Sequence, residues 1–243
     1  EPAWLINFSA MRDPLLLTLL GQVPACPDNE QKLLCGILQQ PLAYAPGTVW
    51  NYNTYDSYLV SGFFTQLTGT DLAGYAAEHL FSPIGMSVDP DSDWLNFPSV
   101  DYTFGGGLFN VTTRDLGRLG MLMLYDGNWA GEQLISRDWI TTSTTPQGPG
   151  LIAAFDFNNE PLDTPAPVNL EYGMQWWTTT GVMTGPAALT ARGLGGQFMQ
   201  IYKDKELIVL ITSDADSYTE TLPYRSSQIN SFIMGRILDR MTD

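Results

Sequence analysis

Histidine, cysteine and lysine, three residue types that often act as a base or nucleophile in hydrolases, are scarce in this sequence of 243 residues, which has one histidine, two cysteines and three lysines. A Ser-x-x-Lys pair would place an amine one helical turn from the hydroxyl that it deprotonates. The residues three positions before Lys32, Lys203 and Lys205 are asparagine, glutamine and tyrosine, so the sequence has no such pair. The sequence also lacks Gly-x-Ser-x-Gly, the strained turn that exposes the serine of an α/β-hydrolase.

The histidine and the cysteines do not supply a metal centre. Zinc sites need sets such as two histidines with a carboxylate or four cysteines, which His79, Cys26 and Cys35 cannot complete. His79 lies in a helical pattern without a partner motif, so we assign it a structural or surface role rather than that of a triad base. The sequence predicts no metal and no cofactor. A metal held by carboxylates alone stays open, without a clustered acidic motif in its favour.

The charge balance argues against nucleic acids and membranes as partners. The 26 acidic and 11 basic residues give a formal net charge of −15. Such a surface repels phosphate backbones and anionic lipids. No apolar run reaches the ~18–20 residues that span a bilayer. We therefore expect no nucleic-acid partner and no membrane span.

The compartment and the extent of the chain are harder to infer. Cys26 and Cys35 are either bridged across a short loop, as in an oxidising compartment, or two buried thiols. The low lysine content and the possible bridge favour a secreted or periplasmic protein. The chain opens Glu1-Pro2-Ala3-Trp4, with neither a methionine nor a signal peptide, so we expect it to be the later part of a longer product.

Hydrophobic periodicity divides the sequence into a helical first part and a strand-rich last part. The predicted helices are one capped by Thr54 or Asp56 and ending at Thr68, one over residues 72–80, one over 114–125, and a short one from Ser136 through Trp139. The predicted strands cover 172–178, 198–202 and 207–212, and an amphipathic helix follows over 226–241. This pattern predicts an α+β fold in a single domain, residues 1–243. Its helical lobe would cover about residues 1–145, and its antiparallel sheet and terminal helix about 170–243.

An ordered set of short motifs resembles the serine β-lactamase/penicillin-binding-protein family. In chain order, the motifs are Pro46-Gly47-Thr48-Val49-Trp50-Asn51-Tyr52-Asn53-Thr54, Leu80-Phe81-Ser82-Pro83-Ile84-Gly85-Met86, Gly105-Gly106-Gly107-Leu108, Thr113-Arg114-Asp115-Leu116, Tyr172-Gly173-Met174-Gln175-Trp176-Trp177 and Gly193-Leu194-Gly195-Gly196-Gln197. The likeness is to the class C-like hydrolases, and closest to the branch that includes 6-aminohexanoate-dimer hydrolase. It implies a β-lactamase-like α+β fold whose N-terminal part is missing from these residues.

The resemblance implies acyl-enzyme chemistry without a histidine. In this family a serine and a lysine on one helical turn are joined by a tyrosine that relays protons, and Tyr52 matches that tyrosine. A phenol has an ordinary pKa of about 10, so it acts as a base only where nearby cations or the lysine favour the phenolate. Thr54 stands where many relatives carry an asparagine that touches lysine and substrate. The alternative is that Tyr52 is one more aromatic residue on a buried strand.

The glycine-rich motif at 193–197 resembles the strand on which the family binds its substrate. Its glycines would let the backbone approach the substrate at Gly195 and Gly196, and the main-chain N–H of Gln197 matches the oxyanion donor. Leu194 stands where many relatives have histidine or lysine. A plain hairpin or tight packing would need the same glycines. The aromatic residues predicted to line an acyl pocket are Tyr102, Phe104 and Trp177. We expect the Tyr52 loop and the 193–197 strand to face each other across one cleft.

Two functions of different classes follow from these motifs. The first is the C-terminal part of a serine hydrolase for a small-molecule ester or amide, with its Ser-x-x-Lys supplied by an N-terminal partner chain, a cleaved segment or other residues outside this sequence. The second is a non-catalytic binding or sensor module, which the missing Ser-x-x-Lys and Leu194 would favour. The scaffold itself does not choose the substrate.

Overall fold

The computed structural model describes residues 32–38, 54–94, 102–147, 170–179, 187–193, 197–212, 236 and 240. The described residues as far as Thr112 belong to one compact unit, and those from Thr113 onward belong to a second. Helices and an antiparallel sheet are both present, which confirms the predicted α+β class. The single domain with lobes over about 1–145 and 170–243 stays a prediction. Within the described ranges, no helix has the length and apolar character required to cross a membrane.

The first unit is built from helices. They are α1 (Lys32–Leu38), α2 (Thr54–Thr68) and α3 (Leu72–Ala76), and α3 continues as a π-helical turn over Ala77–Phe81. Helix α2 has the predicted bounds, and α3 with its π-helical turn accounts for the helix predicted over 72–80. Gly69 ends α2 with a φ of 70°, a left-handed conformation that glycine adopts without strain. Its N–H donates to the Thr65 carbonyl at 2.8 Å.

The glycine-rich segment at 105–107 passes very close to α2. A Cβ atom placed on Gly105 would lie 2.1 Å from the Ser61 hydroxyl oxygen and 3.0 Å from the Ser57 carbonyl oxygen. Ser61 is buried on α2, and its hydroxyl donates to the Ser57 carbonyl at 3.3 Å. A side chain at position 105 would therefore have to displace the Ser61 hydroxyl and would sit tightly against the α2 backbone, which explains the glycine.

The carboxylate of Asp71 links α3 to a distant part of the first unit. It caps α3 by accepting the Ala73 N–H at 3.0 Å, and it accepts the Thr103 N–H at 3.0 Å. The buried Thr103 hydroxyl also bonds to this carboxylate and accepts the Ala73 N–H at 3.1 Å. The sequence analysis does not predict this cap, although an aspartate directly before an apolar run is a typical start of a helix.

The second unit combines two helices with two antiparallel sheets. The helices are α4 (Thr113–Leu124) and α5 (Arg137–Thr144), and a small hairpin between them pairs β1 (Asn128–Trp129) with β2 (Glu132–Gln133). Ser136 caps α5 as predicted, by accepting the Trp139 N–H at 3.2 Å, but the helix extends to Thr144 rather than ending at Trp139. The main sheet contains β3 (Leu170–Tyr172), β4 (Trp177–Thr179), β5 (Ala188–Gly193), β6 (Gln197–Tyr202) and β7 (Leu207–Ile211), in that spatial order.

One predicted strand needs correction, and one strand of the sheet was not predicted. Residues 172–178 do not form one strand, because the chain turns between β3 and β4, where the Gly173 N–H donates to the Trp176 carbonyl at 2.8 Å. The turn is fixed by α5, since the Met174 N–H donates to the Ser143 carbonyl at 2.7 Å. Strand β5 is missing from the sequence analysis, because its alanines, arginine and glycine are not typical of strands. The predicted strands β6 and β7 are confirmed, and a 3₁₀ turn over Lys203–Lys205 joins them.

One face of the main sheet forms the core of the second unit with α4 and α5. The buried members of this core are Met123, Ile140, Leu189, Met199 and Ile201. Helix α4 approaches closely at Gly120, where a Cβ atom would lie 3.0 Å from the Met199 sulfur. On the opposite face of the sheet, Ala188, Tyr202 and Val209 form a second buried cluster.

Candidate functional site

The structure describes only part of the predicted site. Tyr52, Gly195 and Gly196 lie outside the described residues, as do Cys26 and, apart from Arg236 and Arg240, the helix predicted over 226–241. Thr54 and Tyr102 belong to the first unit, and Trp177 and Gln197 to the second. A shared cleft between the Tyr52 loop and the 193–197 strand stays a prediction.

The start of α2 gives the local setting of the predicted relay. Thr54 is the first residue of α2, two positions after Tyr52, and Asp56 lies in its first turn. A carboxylate there interacts favourably with the N-terminal end of the helix dipole. Desolvation by partial burial raises the pKa of the Asp56 carboxyl above its ordinary value.

Two of the aromatic residues predicted for the acyl pocket lie inside the first unit. The Tyr102 side chain is 7% exposed, and its hydroxyl accepts a hydrogen bond from the Gln66 amide at 2.7 Å. The Phe104 ring is buried and packs against the Tyr58 ring, with 5.8 Å between centroids. Both side chains therefore have a packing role, and their contact with an acyl group stays a prediction.

Trp177, the third predicted aromatic residue, belongs to a cluster at one end of the main sheet. It meets the Tyr172 ring edge to face, with centroids 4.8 Å apart. The Arg192 guanidinium carbon lies 5.8 Å from the Trp177 ring centroid and 5.5 Å from that of Phe198, within the range of a cation–π interaction. An arginine is thus held over two aromatic rings, next to the 193–197 motif.

Arg192 could not be predicted from the sequence, because its position beside Trp177 depends on the pairing register of β4 and β5. Trp177 pairs with Thr190, and side chains two residues apart on a strand share a face, so Arg192 and Trp177 lie on the same face of the sheet. The sequence does offer one signal, the alternation of apolar and polar residues along 188–193. That alternation indicates which side chains share a face only if the segment is already known to be a strand.

The strand ends at Gly193 and Gln197 approach each other closely. These two residues form the last register pair between β5 and β6. A Cβ atom on Gly193 would lie 2.9 Å from the Cβ atom of Gln197, so the Gln197 side chain uses space that a side chain at 193 would need. Gly193 therefore has a packing requirement, and the oxyanion role of the Gln197 N–H stays a prediction.

Strand β5 also carries a buried hydroxyl that has no hydrogen-bond partner among the described residues. The Thr190 side chain is 3% exposed, and its hydroxyl has no hydrogen-bond partner in the described part of the chain. Thr190 is paired with Trp177 on β4 and with Gln200 on β6. A buried hydroxyl without a partner lowers the free energy of unfolding, so an apolar side chain of the same shape at this position should make the sheet at least as stable.

Comparison with known proteins identifies the fold. The family model described as Beta-lactamase matches residues 16–231. No curated protein matches the chain. Among solved structures, the chain is similar to one from Bacillus anthracis assigned as a 6-aminohexanoate-dimer hydrolase, with 20% identity and a TM-score of 0.64 over 96% of this chain and 56% of that one.

Two further structures have the same fold. A beta-lactamase from Mycobacterium bovis shares 15% identity with a TM-score of 0.56, over 91% of this chain and 73% of that one. A mutant of the simvastatin synthase from Aspergillus terreus shares 17% identity with a TM-score of 0.56, over 79% of this chain and 55% of that one. The chain thus spans little more than half the length of the first of these relatives. These matches confirm the resemblance seen in the motifs, and the chain belongs to the beta-lactamase family.

Proposed function

We propose that the chain is the C-terminal part of a serine hydrolase that cleaves ester or amide bonds through an acyl-enzyme. The observation that carries this proposal is the match of the beta-lactamase family model over residues 16–231. The Tyr52 motif and the 193–197 motif both lie inside that range, in the order that the family shows. The proposed reaction requires neither a metal nor a cofactor.

The nucleophile in this proposal comes from polypeptide outside the 243 residues, because no Ser-x-x-Lys occurs among them. The shorter length of the chain relative to the Bacillus anthracis structure is consistent with this division. A partner chain, a cleaved segment or a continuous upstream segment would each supply the serine and lysine equally well.

Each predicted site residue has a role in the proposed reaction. The serine oxygen attacks the substrate carbonyl carbon, and its proton passes through the Tyr52 oxygen to the leaving amine or alcohol. The N–H of Gln197 donates to the oxygen that becomes negative in the tetrahedral intermediate. Water then attacks the acyl-enzyme, which releases the carboxylic acid and restores the serine. Thr54, Gly195 and Gly196 contact the substrate, and the Trp177 and Tyr102 rings border the acyl group.

The substrate is proposed only as a class, a small-molecule ester or amide. One relative is named for the dimer of 6-aminohexanoate, so linear amides of ω-amino acids are the first compounds to assay. A simple aryl ester serves as the activated substrate, since its leaving group needs less protonation.

Labelling of the native protein with a fluorophosphonate probe tests the proposal. The probe reacts with activated serines, and mass spectrometry of the intact material identifies the polypeptide that carries it. We expect the label on a serine of a Ser-x-x-Lys segment associated with this chain. If no serine is labelled and no second segment is present, the result supports the alternative function, a non-catalytic binding module. The leucine at position 194, in place of a polar residue, also favours that alternative.

A further inference from the structure

Helix α2 has large apolar side chains on the side opposite to its buried face. Its buried face consists of Tyr58, Ser61 and Gly62. Three large apolar side chains lie on the other side of the helix, and they are Val60, Phe63 and Leu67, with exposed fractions of 62%, 61% and 85%. At 100° per residue these three positions cluster about half a turn away from the buried face. We refer to Val60, Phe63 and Leu67 as the apolar stripe.

The apolar stripe is unusual for a surface helix. A surface helix normally carries polar residues on the face turned away from the core, and a helix that is apolar all round is normally buried. Helix α5 differs from α2, since its exposed side combines the polar residues Arg137, Asp138 and Thr141 with a single large aromatic residue, Trp139. In α2 the sequence has one charged residue, Asp56, and it lies in the first turn, before the stripe.

The spacing of the apolar stripe indicates that the partner surface is a helix. Positions 60, 63 and 67 follow the i, i+3, i+7 pattern of a helix–helix seam. The seam runs over two turns, roughly 10 Å along the helix. Because no charge lies within it, the complementary surface is apolar, as on one face of an amphipathic helix.

The position of α2 in the chain indicates which helix this is. Helix α2 begins two residues after Tyr52, so a helix packed along the stripe lies beside the element that follows the proposed proton relay. The proposed reaction requires a serine and a lysine on one helical turn close to Tyr52, and the 243 residues do not contain them. We infer that the apolar stripe of α2 docks an amphipathic helix of the polypeptide that carries the nucleophile. This inference rests on the proposed function and adds to it the surface through which the two parts meet.

Site-specific photo-cross-linking tests the docking. The chain is produced from its own gene locus, so that polypeptide attached to it or bound to it is present, with p-benzoylphenylalanine in place of Phe63. The matched control places the same group at Trp139, which is 52% exposed on α5 and outside the stripe. After fluorophosphonate labelling and irradiation, we expect position 63, and not position 139, to be joined to the labelled polypeptide at a peptide outside residues 1–243.

A triple variant gives an independent measurement. Val60→Ser, Phe63→Ser and Leu67→Ser together should lower fluorophosphonate labelling roughly tenfold or more, because central apolar anchors dominate such contacts. Tyr125→Ser, at a residue 50% exposed just after α4, should leave labelling unchanged. The circular dichroism spectrum of the triple variant should be unchanged, because the stripe makes little contact with the described core. An unchanged spectrum shows that the variant is folded.

The possible outcomes separate the inference from the proposed function. A labelled serine with no cross-link from position 63, or with cross-links only to a second copy of this chain, overturns the docking and leaves the hydrolase proposal standing. Full labelling of a folded triple variant also overturns the docking. The absence of any labelled serine removes the proposed function, and the docking inference with it.

Discussion

Gly105→Ala should destabilise the first unit through one identifiable collision. The added methyl group would lie 2.1 Å from the Ser61 hydroxyl oxygen, well inside van der Waals contact, and 3.0 Å from the Ser57 carbonyl oxygen, which belongs to the α2 backbone. Overpacking in a well-packed region costs about 1–3 kcal/mol. For a chain of this size, 1 kcal/mol corresponds to a change in Tm of roughly 2–4 °C, so we expect Gly105→Ala to lower the Tm by about 2–12 °C.

A second substitution separates this collision from other effects. Ser61→Ala removes the oxygen at 2.1 Å, and the next contacts lie at 3.0 Å to the Ser57 carbonyl and 3.5 Å to the Ser61 Cβ atom. The double variant should therefore recover most of the stability that Gly105→Ala loses, with a coupling energy of about 1 kcal/mol or more. Gly74→Ala is the matched control, because nothing lies within 4 Å of its Cβ position in α3. It should be neutral or stabilising by up to about 1 kcal/mol. Thermal melts of the wild type and the four variants decide the matter, and a Gly105→Ala protein that melts like the wild type would refute the reasoning.

Three further predictions concern the main sheet and the proposed relay. Thr190→Val removes a buried hydroxyl that has no hydrogen-bond partner among the described residues and keeps the shape of the side chain, so urea unfolding should show equal or greater stability, by up to about 1 kcal/mol. A loss of stability above that value would mean that the hydroxyl is bonded. Burial raises the pKa of Tyr202 from 10.0 to about 12, so the folded state holds the phenol proton more tightly than the unfolded state does. The free energy of unfolding should be unaffected below pH 10 and fall by roughly 2–3 kcal/mol between pH 10 and 12. The Tyr202→Phe variant should not show this loss in the same pH series. In the assembled enzyme, Tyr52→Phe should lower kcat for an amide by about 10²–10⁴-fold and for an activated ester by less, with stability within about 1 kcal/mol; unchanged amide turnover in a folded protein would exclude Tyr52 from the mechanism.

Local sequence signals were sufficient for helices α2 and α4 but not for the end of α5 or for the whole sheet. Helix α2 is bounded by a polar residue at its start and by Thr68-Gly69 at its end, and α4 by threonines and Asp126-Gly127, so both could be predicted from neighbouring residues. The turn between β3 and β4 could not, because its aromatic residues are typical of strands and the turn is fixed by a bond to Ser143 on α5. Strand β5 also depends on its neighbours rather than on its own composition.

In the candidate site, too, the features carried by continuous segments could be predicted, and those that depend on strand pairing could not. The motif order was enough to predict the family, since each motif is a short continuous segment. The Arg192–Trp177 contact depends on the register of β4 and β5, which no continuous segment encodes. The requirement for glycine at 193 likewise comes from the partner residue Gln197 on the neighbouring strand.

The shared carboxylate of Asp71 has a consequence for the order of folding. Helix α3 has five residues in α-helical conformation, too few to be stable alone in water. Its cap is completed by Thr103, 32 residues further along the chain, so the helix gains its full set of bonds only when that distant segment arrives. The start of α3 and the segment at Thr103 should therefore form and open together as one cooperative unit. In native-state hydrogen exchange, the amides of Ala73 and Thr103 should share one opening free energy, and Asp71→Ala should lower it for both.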